Sequence, residues 1–138
     1  MSSAIEAANV SLIELRNALR DLHKQLIEIA KTEYQLESQT EISALHLLQL
    51  LTEHAQFAWL HQLSKFMVEI DELLEQAVIT HAGIQGIFSR AKSLISPQDA
   101  DGSEFSQRYV SLLAYHPALT MAHANVRRIL VAEGVSLR

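Results

Sequence analysis

Histidines are the side chains of this sequence most suited to chemistry, because imidazole binds metal ions and exchanges protons near neutral pH. There are seven of them. The sequence contains neither the Glu-x-x-His pattern of di-iron carboxylate bundles nor the His-Glu-x-x-His pattern of zinc proteases. His54 and His61 are seven residues apart, as are His116 and His123. Along a helix this is about 10 Å, too far for both members of a pair to bind one ion directly.

A metal site that takes one histidine from each of several helices is still compatible with the spacing, because helical bundles build sites from facing side chains. The candidate ligands are His23, His61 and His123. The alternative is that these histidines are partly exposed residues at the edges of apolar stripes. No cofactor is predicted, and a metal ion or haem is retained as the alternative hypothesis.

One further histidine, His81, falls on the apolar stripe of a predicted helix, where a polar side chain needs a partner. Glu33 lies on the continued stripe of the first predicted helix. A buried pair between Glu33 and His81 would satisfy both groups and raise the pKa of the histidine. The alternative, which the sequence favours, is a helix break near Thr80 that leaves His81 facing solvent.

Aromatic side chains give candidates for an interface or a ligand pocket. Phe57 and Trp59 flank Ala58, and tryptophan is enriched where proteins bind partners. A pocket between helices near Trp59, Tyr109 and Tyr115 would suit a small-molecule sensor. The alternative is that these rings are packed into the core.

Motifs of common enzyme classes are missing from the sequence. It has no cysteine, no Gly-x-Ser-x-Gly elbow and no phosphate-binding glycine pattern, so we predict no catalytic residue and favour a non-enzymatic role. The net charge is −5 and the 11 lysines and arginines are scattered, which argues against nucleic-acid binding. The apolar runs are too short for a membrane span. The N-terminus lacks a signal-peptide pattern, and we expect a soluble cytoplasmic protein.

The fold class predicted is all-α, a bundle of four or five mostly antiparallel helices in one domain over residues 1–138. The sequence has 49% hydrophobic residues but only two prolines and four glycines, and its apolar spacing is helical. The first helix should end near Glu37 and begin at a capping box of either Ser3 or Ser11. Its apolar face is a stripe of six residues: Leu12, Leu15, Leu19, Leu22, Leu26 and Ile29.

A second helix should open at Ser38 or Thr40 and continue through Leu51. It is apolar on more than one side, because Leu47 and Leu50 lie off the stripe of Leu45, Leu48 and Leu51. Such helices are normally buried, so we expect it in the middle of the bundle or at a subunit interface.

A third apolar pattern runs from residue 60 to residue 95, either as one long helix through Ala77 and His81 or with a break between Thr80 and Gly86. Turn-forming residues predict a loop over 96–103. A fourth helix then carries Phe105. The fifth begins at Pro117 and is stopped by Gly134, which leaves a frayed tail over 135–138.

Two blocks of this sequence resemble short all-helical bacterial proteins of unassigned function. One extends from Phe57-Ala58-Trp59-Leu60 through Met67-Val68-Glu69-Ile70-Asp71-Glu72, and the other from Tyr115-His116-Pro117 through His123 to Leu130. The resemblance covers about a quarter of the chain. It implies an all-helical bacterial protein and carries over neither catalytic residues nor a cofactor.

The leading hypothesis for function is protein–protein interaction or homo-oligomerisation, because the long apolar stripes offer more surface than a small bundle easily covers. The first alternative is a metal- or haem-binding helical protein that uses histidines and carboxylates. The second is a small-molecule sensor with a pocket between helices.

Overall fold

The computed structural model describes residues 2–96 and 103–134, with side chains described from residue 9 onward. This part of the chain is helical without any strand, which confirms the all-α class. It forms six α-helices, namely α1 (Ser2–Ser38), α2 (Ala44–Glu53), α3 (His61–Leu74), α4 (His81–Ile95), α5 (Glu104–Leu113) and α6 (Pro117–Ala132), with a 3-10 helix over Ala55–Leu60. The expected four or five helices are too few because the third apolar pattern is divided between α3 and α4.

Helix α1 owes its position to the leucine stripe. Five of the six predicted residues, Leu12, Leu15, Leu19, Leu22 and Leu26, are completely buried. Ser11 lies inside the helix and contacts Glu133, so a start at Ser11 is wrong. The helix ends at Ser38, one residue past the predicted Glu37, and Gln39 follows with a left-handed φ of 55°.

The predicted start of α2 is wrong by several residues. Ser38 is the last residue of α1, and its hydroxyl donates to the Tyr34 carbonyl oxygen at 2.7 Å. The cap is Ser43, whose side-chain oxygen accepts from the His46 backbone N–H at 3.1 Å and so satisfies one of the open donors of the first turn.

The apolar pattern from residue 60 to 95 is broken, as the second alternative predicted, but the break lies over residues 75–80, and Gly83 and Gly86 are inside α4. Helix α3 ends at Leu74 and α4 begins at His81. Thr80 caps α4 by accepting a hydrogen bond from the Gly83 backbone N–H at 3.0 Å. Ala77 lies between the two helices and is exposed, so its predicted place on a continuous stripe is wrong.

The predicted fourth helix is α5, which contains Phe105, and the predicted fifth helix is α6, which begins at Pro117 as expected. Ser103 caps α5 by accepting from the Ser106 N–H at 3.1 Å, and Pro117 is the first residue of α6. Gly134 follows α6 with a φ of 84°, a conformation that favours glycine. The loop interior over 97–102 and the tail over 135–138 lie outside the described residues.

One hydrophobic cluster contains buried side chains from every helix. Helix α1 packs more extensively on α6 than on any other element, and also contacts α3 and α4. Helix α5 lies against α6, α4 and the 3-10 helix, whereas α2 packs chiefly on the 3-10 helix. In the described part of the chain, no helix is long and apolar enough to cross a membrane.

Candidate functional site

The three histidines named as metal ligands have separate partners. His23 Nε2 lies 2.9 Å from the Ser64 hydroxyl oxygen, and His61 Nε2 lies 2.7 Å from the Leu51 carbonyl oxygen. His123 Nδ1 is hydrogen-bonded to the Tyr109 hydroxyl. Among the described side chains, over residues 9–96 and 103–134, no three His, Asp or Glu residues are placed to hold one metal ion. The predicted trio of ligands is therefore not assembled.

The predicted Glu33–His81 pair is not formed as a buried contact. His81 is exposed at the first residue of α4, as expected from a helix break at Thr80. Glu33 is half-buried and faces residues of α5, among them Gln107 and Arg108. The apolar spacing that placed His81 on a buried stripe is interrupted before that residue is reached.

Three of the four aromatic candidates belong to the core. Phe57, Trp59 and Tyr109 are 0%, 4% and 1% exposed, so they do not line an open pocket. The space between Trp59 and Tyr109 is filled by Phe105, which stacks on Tyr109 with ring centroids 5.5 Å apart and lies 6.1 Å from the centroid of Trp59. Tyr115 differs from the others because it is 79% exposed.

Tyr109 and His123 form a buried polar pair that the sequence did not suggest. The Tyr109 hydroxyl lies 2.6 Å from His123 Nδ1. Burial raises the pKa of Tyr109 and lowers the pKa of His123, and the positive charge of Arg127 lowers the pKa of His123 further. The pair is therefore neutral near pH 7, and the tautomer of His123 sets the direction of the bond: the tyrosine hydroxyl donates to bare Nδ1, or Nδ1–H donates to the tyrosine oxygen.

We expect the free energy of unfolding to fall as the pH is lowered below about 6.5, the ordinary pKa of histidine. Burial lowers the pKa of both His23 and His123. As the pH falls, these histidines therefore bind protons at a higher pH in the unfolded chain than in the folded chain. The measurement is urea denaturation between pH 7.5 and 5. His23→Gln with His123→Gln should flatten this dependence, whereas the exposed control His81→Gln should leave it unchanged. An unchanged pH slope in the double variant would contradict the assignment.

Helix α2 presents apolar side chains on two opposite sides. Leu50 is buried and Leu47 is partly buried on the side that packs on the bundle. Leu45 and Leu48 are 67% and 60% exposed. The predicted position in the middle of the bundle is therefore wrong, and the subunit interface stays a prediction.

The exposed side of α2 has an unusual composition for a surface helix. We define the outer face of α2 as its five exposed, uncharged residues: Ala44, Leu45, Leu48, Gln49 and Thr52. No Asp, Glu, Lys or Arg occurs between Glu41 and Glu53. Charged side chains normally cover the solvent side of an amphipathic helix, so this face is the candidate site for contact with another molecule.

Aromatic contacts fix α2 to the end of α1. The Tyr34 ring makes edge contacts with His46 and His54, with ring centroids 6.2 Å and 5.5 Å apart. Tyr34 also lies 5.8 Å from the ring centroid of Phe57. The outer face of α2 is thus held in place by contacts at both ends of the helix.

In comparisons with known proteins, no family model, curated protein or solved structure matches this chain.

Proposed function

We propose that the protein acts through protein–protein contact, as a homo-oligomer whose copies meet at the outer face of α2. The observation that carries this proposal is the exposure of Leu45 and Leu48, at 67% and 60%, on a helix with no charged side chain before Glu53. Burial of a leucine that is otherwise exposed contributes about 1.5–3 kcal/mol. Two leucines from each copy would therefore supply a substantial part of the driving force for association.

A second copy is the occupant that best fits the chemistry of this face. In a two-fold symmetric contact the same residues face each other, so any charged residue at the centre would meet its own like charge. The outer face of α2 avoids that repulsion because it is neutral. Glu41 precedes the helix and Glu53 is its last residue, so both lie beyond the two leucines.

The attachment of α2 to the bundle favours association because little order has to be gained on binding. Ser43 caps the first turn, and Tyr34 contacts both His46 and His54. Leu50 anchors the opposite side of the helix in the core. A preorganised apolar helix loses less conformational entropy than a mobile segment when it is covered.

The proposal also includes the relative direction of two helices and the cellular location. We infer an antiparallel arrangement of α1 and α3, supported by the contacts of Arg16 with Asp71 at 3.6 Å and of His23 with Ser64 at 2.9 Å. His23 follows Arg16 on α1, whereas its partner Ser64 precedes Asp71 on α3, so the two helices run in opposite directions. A cytoplasmic location is also proposed, and the cysteine-free sequence is consistent with a reducing compartment.

The test is the oligomeric state of a variant that carries Leu45→Glu and Leu48→Glu. We expect the unaltered protein to sediment as a dimer or larger species at micromolar concentration and the double variant to sediment as a monomer. Repulsion between four new carboxylates at the contact, together with the loss of leucine burial, gives the reason. Sedimentation velocity over a range of concentrations is the measurement.

The matched control carries Val68→Glu and Val78→Glu, which place the same two charges on other exposed apolar sites, 53% and 76% accessible. This control should sediment like the unaltered protein. Circular dichroism melts establish that both double variants stay folded. A monomeric unaltered protein, or equal dissociation in the two double variants, would overturn the proposal.

A further inference from the structure

A groove between α3 and α4 combines an apolar floor with fixed charges. Its volume is about 320 Å³, within the range of small-molecule sites. Phe66 and Leu94 form the floor and are 5% and 9% exposed. Lys65, Glu69 and Arg90 line the sides. This groove is separate from the outer face of α2, and Trp59, Tyr109 and Tyr115 do not line it.

Arg90 is held in place by two contacts of different kinds. Its Nη2 atom contacts the Glu69 carboxylate, and its guanidinium carbon lies 5.0 Å from the centroid of the Phe66 ring. A guanidinium group has five N–H donors in a planar fork. The contact with Glu69 is made by Nη2, and the Arg90 side chain is 56% exposed, so further N–H donors are accessible to a ligand.

The charges of the groove select a monoanion. Lys65 and Arg90 are positive and Glu69 is negative, which leaves one positive charge within a protein of net charge −5. A dianion would bring a second negative charge beside the Glu69 carboxylate without a matching cation. A carboxylate suits the planar donors of Arg90, because the two groups pair through parallel hydrogen bonds.

We propose that this groove binds a small monocarboxylate with an apolar body. The carboxylate lies between Arg90 and Lys65, and the apolar body lies over Phe66 and Leu94. The hydroxyl of Ser93, which also lines the groove, is a further polar group within the site. The inference is independent of the proposed oligomer, since no residue of α2 takes part.

The experiment is a titration of the full-length protein with benzoate, followed by isothermal calorimetry and by backbone amide NMR shifts. Benzyl alcohol has a similar ring without the charge, acetate has the charge without the ring, and inorganic phosphate is the more highly charged anion. We expect benzoate to bind more tightly than all three, with the largest shifts at the backbone amides of Lys65, Phe66 and Ser93.

Variants locate the binding in the groove. Arg90→Gln and Lys65→Gln should each weaken benzoate binding about tenfold, the usual effect of losing a hydrogen bond to a charged group. Glu69→Gln should strengthen benzoate binding and allow phosphate to bind, because it leaves two positive charges without a carboxylate. Arg127→Gln, an exposed position on α6, is the matched control and should bind benzoate like the unaltered protein.

Three results would overturn the assignment. These are equal binding of benzoate and benzyl alcohol, tighter binding of phosphate than of benzoate, and benzoate affinity that is the same in Arg90→Gln and Arg127→Gln. The variant with Leu45→Glu and Leu48→Glu should bind benzoate normally. Failure of the oligomer and failure of the carboxylate site are therefore distinguished in one set of proteins.

Discussion

Replacement of Leu22 by alanine should lower the free energy of unfolding by about 2–5 kcal/mol. Leu22 is completely buried at the centre of the α1 stripe, so the substitution removes apolar contacts and leaves a cavity that the neighbouring helices fill only partly. Urea denaturation followed by the fluorescence of Trp59, the single tryptophan of the chain, measures the change. The midpoint should fall while the dependence on urea concentration stays the same.

Leu36→Ala gives a control with the same chemical change on the same helix. Leu36 is 73% exposed, so its truncation should change the free energy of unfolding by less than about 0.5 kcal/mol. Similar losses at Leu22 and Leu36 would mean that the stripe is not the buried face of α1. The comparison is made at protein concentrations below the association range, because oligomerisation adds to apparent stability.

Tyr109→Phe should lower the free energy of unfolding by about 1–3 kcal/mol, although it removes only one oxygen atom. The hydroxyl is the hydrogen-bond partner of His123 Nδ1 at 2.6 Å, in a site where the two side chains are 1% and 9% exposed. Without that hydroxyl, the buried Nδ1 of His123 loses its hydrogen bond and does not regain a full bond to water. Urea denaturation at pH 7.5 is the measurement, because His123 is neutral there.

A double-mutant cycle separates the hydrogen bond from the packing of the rings. His123→Leu removes the hydrogen-bond partner of the tyrosine hydroxyl, and in that background Tyr109→Phe should cost less free energy of unfolding than in the unaltered protein. Tyr115→Phe is the matched control: this tyrosine is 79% exposed, so loss of its hydroxyl should have little effect. Additive effects of Tyr109→Phe and His123→Leu would show that the two side chains are not energetically coupled.

The apolar period of the sequence was sufficient to predict the buried face of α1. Leucines recur every three or four residues there, and one helix face is the single arrangement that buries them together. The same reasoning fails across Thr80, since the period continues through Ala77 and His81 while the helix does not. A local threonine cap decides the break, and a hydrophobic pattern carries no information about capping.

For helix α2, the sequence could not predict which side of the helix is buried. Leucines on several sides indicated burial, yet Leu50 is buried while Leu45 and Leu48 are exposed. Both sides of this helix are apolar, so composition does not decide which one packs on the bundle. That choice depends on tertiary contacts, such as those of Tyr34 with His46.

The aromatic core and the groove between α3 and α4 also could not be predicted from the sequence. Phe105 lies between Trp59 and Tyr109. Phe105 and Tyr109 are one turn apart on α5, but Trp59 belongs to the 3-10 helix, far from α5 in the chain. Arg90 and Glu69 come together only because α3 and α4 pack side by side. Side chains with no local relation in sequence carry no pattern that reveals their contact.

The pairing of the first helix with the last has a consequence for synthesis on the ribosome. Helix α1 packs most extensively on α6, and Ser11 contacts Glu133 just after α6 ends. A nascent chain therefore exposes part of the leucine stripe of α1 until more than 130 residues have been translated. At about 5–20 residues per second, translation of the 122 residues from Ser11 to Glu133 takes about 6–24 s. During that time the uncovered part of the stripe is an apolar surface to which chaperones can bind.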